Sequence, residues 1–262
     1  MTTMTRVLAV GYGAVCYLFF LVVFLYAIGF VGNVAVPRSI DNAVDAPLLQ
    51  ALLVNLALLT LFAVQHSVMA RPAFKRWWTR YVPPAIERST YVLLASLVLA
   101  LLFWQWRTIP HVVWDVQNQP ARLAVWVLFW AGWAIVLAAT FMINHFELFG
   151  LRQVLAAWRA QPEAETGFQA TLFYRVVRHP LMLGFLIAFW AAPTMTAGHL
   201  LFASVTTGYI LIALQLEERD LLASLGSRYA AYRQTVPMLI PRPARRRKAP
   251  LAGGTITPAG HR

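Results

Sequence analysis

The residues able to do chemistry in this chain lie at the ends of long apolar runs, and four groups of them stand out. Ionisable residues in such places are costly to keep and mark function in proteins of the bilayer. The most compact group is "YRVVRHP", residues 174–180, which opens an apolar run. Pro180 suits the first turn of a helix, where the N–H it lacks would have no partner. It also pushes His179 toward extended geometry. "RHP" therefore reads as a corner where a polar segment becomes a membrane helix, with free N–H groups and Arg178 suited to an anion such as a carboxylate. Snorkelling arginines explain the same letters equally well. A second group, Glu217 and Glu218, closes the last apolar run; the chain has only 10 acidic residues, and three of them fall within 217–220. Either they form a solvated helix face, or they receive the ammonium and hydroxyl groups of a ligand.

The third group is "FMINHFELFGLRQ", with Asn144, His145, Glu147 and Arg152. On one continuous helix His145 and Arg152 share a face, while Glu147 points roughly 200° away from His145. That geometry argues against a His–Glu metal pair, and none of the six histidines has the His-x-x-x-His spacing of a zinc helix, so no metal is expected. Capping at the membrane interface is the competing explanation. The fourth is "AVQHSVMARP", where Gln65, His66 and Ser67 either hydrogen-bond between helices or line a pocket, with Arg71 at the interface.

What positions these groups is a membrane bundle. The chain has 262 residues, 60% hydrophobic and 12% charged, with a mean hydropathy of +0.61; soluble domains carry roughly a quarter charged residues. Apolar segments run over about 7–30, 48–70, 90–106, 123–143, 180–192 and 200–216. The expected fold is an all-α integral membrane protein of five to six transmembrane segments. The fifth segment, roughly 20 Å long as a helix, is a short arm of a closing helical hairpin. Residues 1–240 form one domain in this reading, and 241–262 a basic, disordered tail. The first segment lacks a cleavage pattern and reads as a retained span.

The net charge of +12 would suggest nucleic acid in a soluble protein. Here the basic residues fall in alternate connections (71–89, 144–179 and the tail), which places both termini in the cytoplasm, and the tail lacks base-stacking aromatics. Cys16 is the sole cysteine, so no intrachain disulfide forms. No inverted repeat suggests a transporter. The hairpin brings Arg178 and His179 close to Glu217 and Glu218, which combines two weak signals into a charge-matched cytoplasmic-side pocket.

"RHP" opening a hairpin, "EE" closing it and "Y..Y" after it resemble the isoprenylcysteine carboxyl methyltransferase-like membrane superfamily. Further stretches, "VQHSVMARPAFKRWW" and "NHFELFGLRQV" among them, are similar to its bacterial thiol S-methyltransferases and their nitrite- and nitric-oxide-reduction-associated relatives. The resemblance covers roughly residues 10–235. It implies a multi-pass protein of the bacterial inner membrane that binds S-adenosylmethionine and leaves S-adenosylhomocysteine. By motif position Tyr174, Arg178, His179, Pro180 and Leu183 would flank that cofactor on one side, and Glu217 and Glu218 on the other. The implied reaction is methylation of methanethiol to dimethyl sulfide. Leu181 stands where the prenylcysteine members have a tyrosine, which counts against a prenyl substrate.

Methyl transfer from a sulfonium is an in-line displacement that needs alignment and a dry site. The thiolate is the nucleophile, so a base is expected beside it. His145 and His66 are the candidates, with Asn144 positioning and Arg152 stabilising an anion. The tryptophans between Trp77 and Trp133 either line the acceptor pocket or anchor and pack the bundle. The partners expected are a small thiol and the bilayer, with no nucleic acid. The rival readings are another acceptor, such as a phospholipid amine or a prenylated thiol, and a non-enzymatic membrane protein associated with denitrification.

Overall fold

The computed structural model describes residues 2–159 and 172–241. The basic tail beyond residue 241 lies outside them. Among the described residues five helices are long and apolar enough to cross a membrane: α1 (Thr3–Gly32), α2 (Leu48–Met69), α4 (Pro84–Gln105), α5 (Gln119–Ile143) and α9 (Ala197–Leu225), with the short α3 (Pro72–Trp78) between the second and third of these spans. The protein is an all-α integral membrane protein. After α5 come α6 (His145–Leu148) and α7 (Leu151–Trp158). The short apolar α8 (Pro180–Trp190) precedes α9, and α10 (Ser227–Thr235) follows it.

Two span boundaries differ from expectation for identifiable reasons. The third span starts at Pro84, not near residue 90, because proline is well placed in the first helical turn. Glu87 and Arg88, expected in a loop, are thus helical, and buried Glu87 pairs with Lys75 at 3.3 Å. The last span does not stop near residue 216. It runs unbroken to Leu225, carrying Glu217, Glu218 and Asp220 on a continuous helix.

The bundle is sealed by an apolar core shared by α1, α2, α4, α5, α8 and α9, built around Phe30, Leu102, Trp106, Phe129, Trp133 and Ala188. Trp106 is fully buried and donates its indole N–H to the Ile40 carbonyl at 3.0 Å. Trp106 and Trp133 are therefore core residues, whereas Trp77, Trp104 and Trp130 are exposed on the bundle surface.

Helix α8 lies in close contact with α5. A Cβ on Gly184 would stand 2.7 Å from the Gly132 carbonyl oxygen and 2.8 Å from the Val136 nitrogen. Backbone meets backbone there, which only residues without side chains allow. At the end of the bundle away from "RHP", the connections form a small cap. Strand β1 (Val112–Asp115) pairs antiparallel with β2 (Thr194–Thr196), with Val112 opposite Thr196. Thr196 donates to Asp41, and Asn33 holds the other Asp41 oxygen at 2.7 Å. This two-stranded ladder was not foreseen. It pairs the backbones of the two connections with one another.

Candidate active site

The "RHP" corner and the "EE" pair meet. Pro180 opens α8, and His179 precedes it at φ −127° and ψ 65°, outside the helical region as a following proline requires but short of the fully extended geometry expected. One turn of α9 supplies Glu217 and Glu218. Glu218 is the buried hub of the corner. Its Oε1 accepts from Arg178 Nε at 2.7 Å and Nη2 at 2.6 Å, and from His179 Nε2 at 3.2 Å. Its Oε2 lies 3.3 Å from Arg233 Nε. Arg178 also donates through Nη1 to the carbonyls of Arg233 (3.1 Å) and Val236 (2.5 Å). Both partners of this ion pair are thus turned inward.

The same corner captures the chain after α10. The backbone N–H groups of Arg178 and His179 donate to the carbonyls of Pro237 (2.8 Å) and Met238 (3.2 Å). Leu239 then packs with Ile210 and Leu214 against Met182 and Leu183. The open carboxylate is Glu217, half exposed and 3.8 Å from His179 Nδ1. Tyr232 donates to the Tyr174 carbonyl at 2.5 Å. Burial raises the phenol of Tyr174, reinforced by the Glu217 charge. Burial also pushes Tyr229 and Tyr232 up to about 12, with Glu218 adding to the first and Arg178 offsetting part of the second. All three stay protonated at neutral pH. The corner therefore presents an outward carboxylate at Glu217, a half-exposed guanidinium at Arg233 and a neutral, partly buried phenol at Tyr174.

A second polar group is built where α5 ends. Asn144 stops α5 and caps α6: its Oδ1 accepts from the Glu147 N–H at 3.3 Å, and its Nδ2 donates to Glu147 Oε2 at 3.0 Å. Arg152 donates to the same oxygen at 2.7 Å. The shared helical face expected for His145 and Arg152 does not exist. Gly150, at φ +86°, turns the chain between them and packs so closely on α4 that a Cβ would lie 2.6 Å from Ser89 Oγ.

His145 instead faces inward. It is buried, its Nε2 is 2.8 Å from Tyr17 Oη, and its Nδ1 is 2.9 Å from Thr140 Oγ1. Phe141 stacks on the ring at 4.3 Å between centroids, and Phe149 meets it edge-on. Burial lowers its pKa, so at neutral pH the imidazole is uncharged and able to accept a proton.

His66 occupies a separate shell. Both its ring nitrogens are 3.0 Å from Tyr91 Oη, and Phe62 stacks on it. Gln65 Nε2 reaches Met69 Sδ at 3.1 Å, and Ser67 reaches Tyr209 at 3.4 Å. Arg71 binds Asp220 of α9 at 2.8 Å. Tyr91 and Phe149, one from each histidine's shell, belong to a single apolar cluster with Met69, Val92 and Phe20. Sequence reasoning missed Tyr17, Thr140, Tyr91 and Arg233. A tyrosine or threonine in an apolar run carries no periodic signal, and Tyr17 is 128 residues from its partner.

The geometry now has counterparts to be compared with. The model of the NnrU protein family matches residues 54–217, well over half the chain. The chain belongs to the NnrU protein family. Its relatives include the methanethiol S-methyltransferase of Mycobacterium tuberculosis, 68% identical over 242 residues, which are 92% of this chain and 99% of that protein. Methanethiol S-methyltransferase 2 of Bradyrhizobium diazoefficiens is 58% identical over 240 residues, 90% of this chain and 91% of that one. Nurim of Mus musculus is 32% identical over 185 residues, 68% of this chain and 70% of its own. No solved structure matches the chain. The matched NnrU segment contains His66, His145, "RHP" and Glu217 but stops before Glu218 and leaves out α1, hence Tyr17.

Proposed function

We propose that this NnrU member is an S-adenosylmethionine-dependent methyltransferase that converts methanethiol to dimethyl sulfide in the bacterial inner membrane. The observation that carries the reading is the near end-to-end similarity to methanethiol S-methyltransferases, 68% over 99% of one of them. The corner built by Arg178, His179 and Glu218 supports it chemically. When bound, S-adenosylmethionine supplies a methyl group on a positively charged sulfur. Glu217, half exposed at the corner, receives the ligand's ammonium or ribose hydroxyls. His179, Pro180, Leu183 and Tyr174 flank it, with Tyr174 as a neutral donor. Arg178 and Glu218 brace these groups and fix the segment at 236–239 beside them.

The acceptor thiol is mostly protonated at neutral pH, so the chain must take a proton from it. His145, uncharged and buried among aromatic rings, is the acceptor of that proton, and His66 lies across the shared apolar cluster. Asn144 and Arg152 hold Glu147 and thereby the turn that aims His145 inward. A small apolar thiol reaches such a site from the bilayer without a polar channel. The basic connections at the "RHP" end support a cytoplasmic orientation for that end and for both termini.

Purified protein with S-adenosylmethionine and methanethiol should release dimethyl sulfide, measured by headspace gas chromatography. Calorimetric titration with S-adenosylhomocysteine should show binding. Absence of both would overturn the reading.

A further inference from the structure

The hydrogen bonds around His145 determine which nitrogen carries its proton, and this has a consequence for how a thiol is activated. Thr140 Oγ1 spends its one hydrogen on the Leu137 carbonyl, 2.7 Å away. With that hydrogen on a carbonyl it accepts from His145, 2.9 Å away, and we assign the imidazole proton to Nδ1 on this ground. Nε2 is left with its lone pair, and Tyr17 Oη stands 2.8 Å from it as the donor. Both ring nitrogens are occupied, and Phe141, Phe146 and Phe149 crowd the ring. A substrate cannot reach His145 directly. The next group along the chain of hydrogen bonds is Tyr17, a residue only partly buried, whose oxygen retains lone pairs once its hydrogen is given to Nε2.

The register of the bundle places this group at the depth of the corner. α5 and α8 run antiparallel, with Gly132 against Ala188 and Gly184, and Val136 against Gly184. One further turn toward the "RHP" end sets Thr140 on α5 level with Pro180 on α8. The hydroxyl that orients His145 thus sits at the depth where α8 begins.

We propose that Tyr17, from the first helix, is a catalytic residue that relays the acceptor's proton to His145. The inference rests on the thiol-methylation reading above. The thiol S–H donates to Tyr17 Oη while the Tyr17 O–H proton passes to His145 Nε2. The thiolate sulfur then forms a bond to the methyl group of the sulfonium donor as the donor's own S–CH3 bond breaks, its electron pair staying on the departing thioether. Thioether product, neutral demethylated donor, neutral Tyr17 and protonated His145 result, and His145 returns its proton to solvent before the next turnover. Thr140 is a positioning residue in this scheme, since it acts only by fixing the tautomer. The first helix is then part of the catalytic machinery, although the matched family segment begins after it.

The test uses the full-length protein in detergent or nanodiscs, with Tyr17→Phe, which removes one oxygen and keeps the ring. Histidine-selective ¹⁵N NMR of the wild type should show one histidine locked as the Nδ1–H tautomer, missing from a His145→Gln spectrum. Its Nε2 resonance should move in Tyr17→Phe. S-adenosylhomocysteine titration should give an unchanged Kd, which establishes that the variant is folded. Loss of that proton path should lower kcat on methanethiol by about 10²–10⁴-fold. On trifluoroethanethiol, a small thiol acidic enough to be largely thiolate, the loss should be less than about tenfold. Thr140→Val should show the same dependence on thiol acidity, and Thr140→Ser should restore the rate.

Equal losses on the two thiols would assign Tyr17 a purely structural tie between α1 and α5 and overturn the proposal. So would wild-type turnover in Tyr17→Phe, or an Nε2–H tautomer at His145. A wild-type protein that binds no S-adenosylhomocysteine and methylates neither thiol would refute the function reading itself. The NMR result distinguishes the two failures, because it needs no turnover.

Discussion

Replacing Arg178 with glutamine tests whether the "RHP" arginine grips a ligand or braces the protein. The Arg178 and Glu218 side chains are 8% and 4% exposed, and the guanidinium makes two contacts to one carboxylate oxygen and two to backbone carbonyls. Removing one member of a buried ion pair leaves an uncompensated charge and costs about 3–5 kcal/mol. Glu218 keeps His179 at 3.2 Å and Arg233 at 3.3 Å, which places the electrostatic part near the lower end. The two lost carbonyl hydrogen bonds, at roughly 1.5 kcal/mol each for a charged donor, bring the total to about 6 kcal/mol. Unfolding by denaturant in micelles, with Arg178→Gln, Glu218→Gln and the apolar double variant Arg178→Met/Glu218→Leu, measures this. The double variant should cost less than the two single changes combined, by about 2 kcal/mol or more, because neither charge is stranded. Parallel titration with S-adenosylhomocysteine separates the alternatives. If Arg178→Gln unfolds like the wild type yet no longer binds the ligand, Arg178 is a direct ligand contact and the bracing argument is wrong.

Three further outcomes are expected. Glu217→Gln, at the half-exposed carboxylate, should weaken S-adenosylhomocysteine binding about 10- to 100-fold while leaving the unfolding midpoint in place; a normal Kd would remove Glu217 from the site. Gly184→Ala forces a methyl to 2.7 Å from a backbone oxygen of α5, so it should destabilise by about 1–3 kcal/mol or more and reduce ligand affinity by displacing the start of α8, read by thermal unfolding and titration. The Arg71–Asp220 pair is partly exposed on both sides, and Asp220→Asn should therefore change stability by less than about 1 kcal/mol in the same denaturant assay.

The spans were legible because long apolar runs have few alternatives, and the meeting of "RHP" with "EE" was legible because a short turn forces two arms together. What each charge does on arrival was not. Arg178 and Glu217 look alike as candidates in the sequence, yet one is enclosed by carbonyls from residues 233 and 236 and the other points outward. Those carbonyls come from a segment whose return path no periodicity encodes. "NHFELFGLRQ" misled in a different way. Its residues are good enough helix formers to suggest one helix, and only the packing of Gly150 on Ser89 reveals the turn that separates His145 from Arg152. Tyr17 was invisible for a third reason. It lies in a span whose apolar surroundings read as lipid-facing, and its importance arises wholly from a contact across the bundle.

The glycine contact between α5 and α8 has a mechanical meaning. Where two helices touch through their backbones, no side-chain layer is left to rearrange, and sliding one past the other would drive Val136 or Ala188 into a peptide plane. The pair behaves as one stiff beam, and the start of α8 is its fixed end. For the ligand proposed at the corner, any give must come from the facing wall, where α9 continues beyond Glu218 and residues 236–239 are held to the beam by Arg178 and two backbone hydrogen bonds. Arg178 is the latch that fastens this wall to the beam.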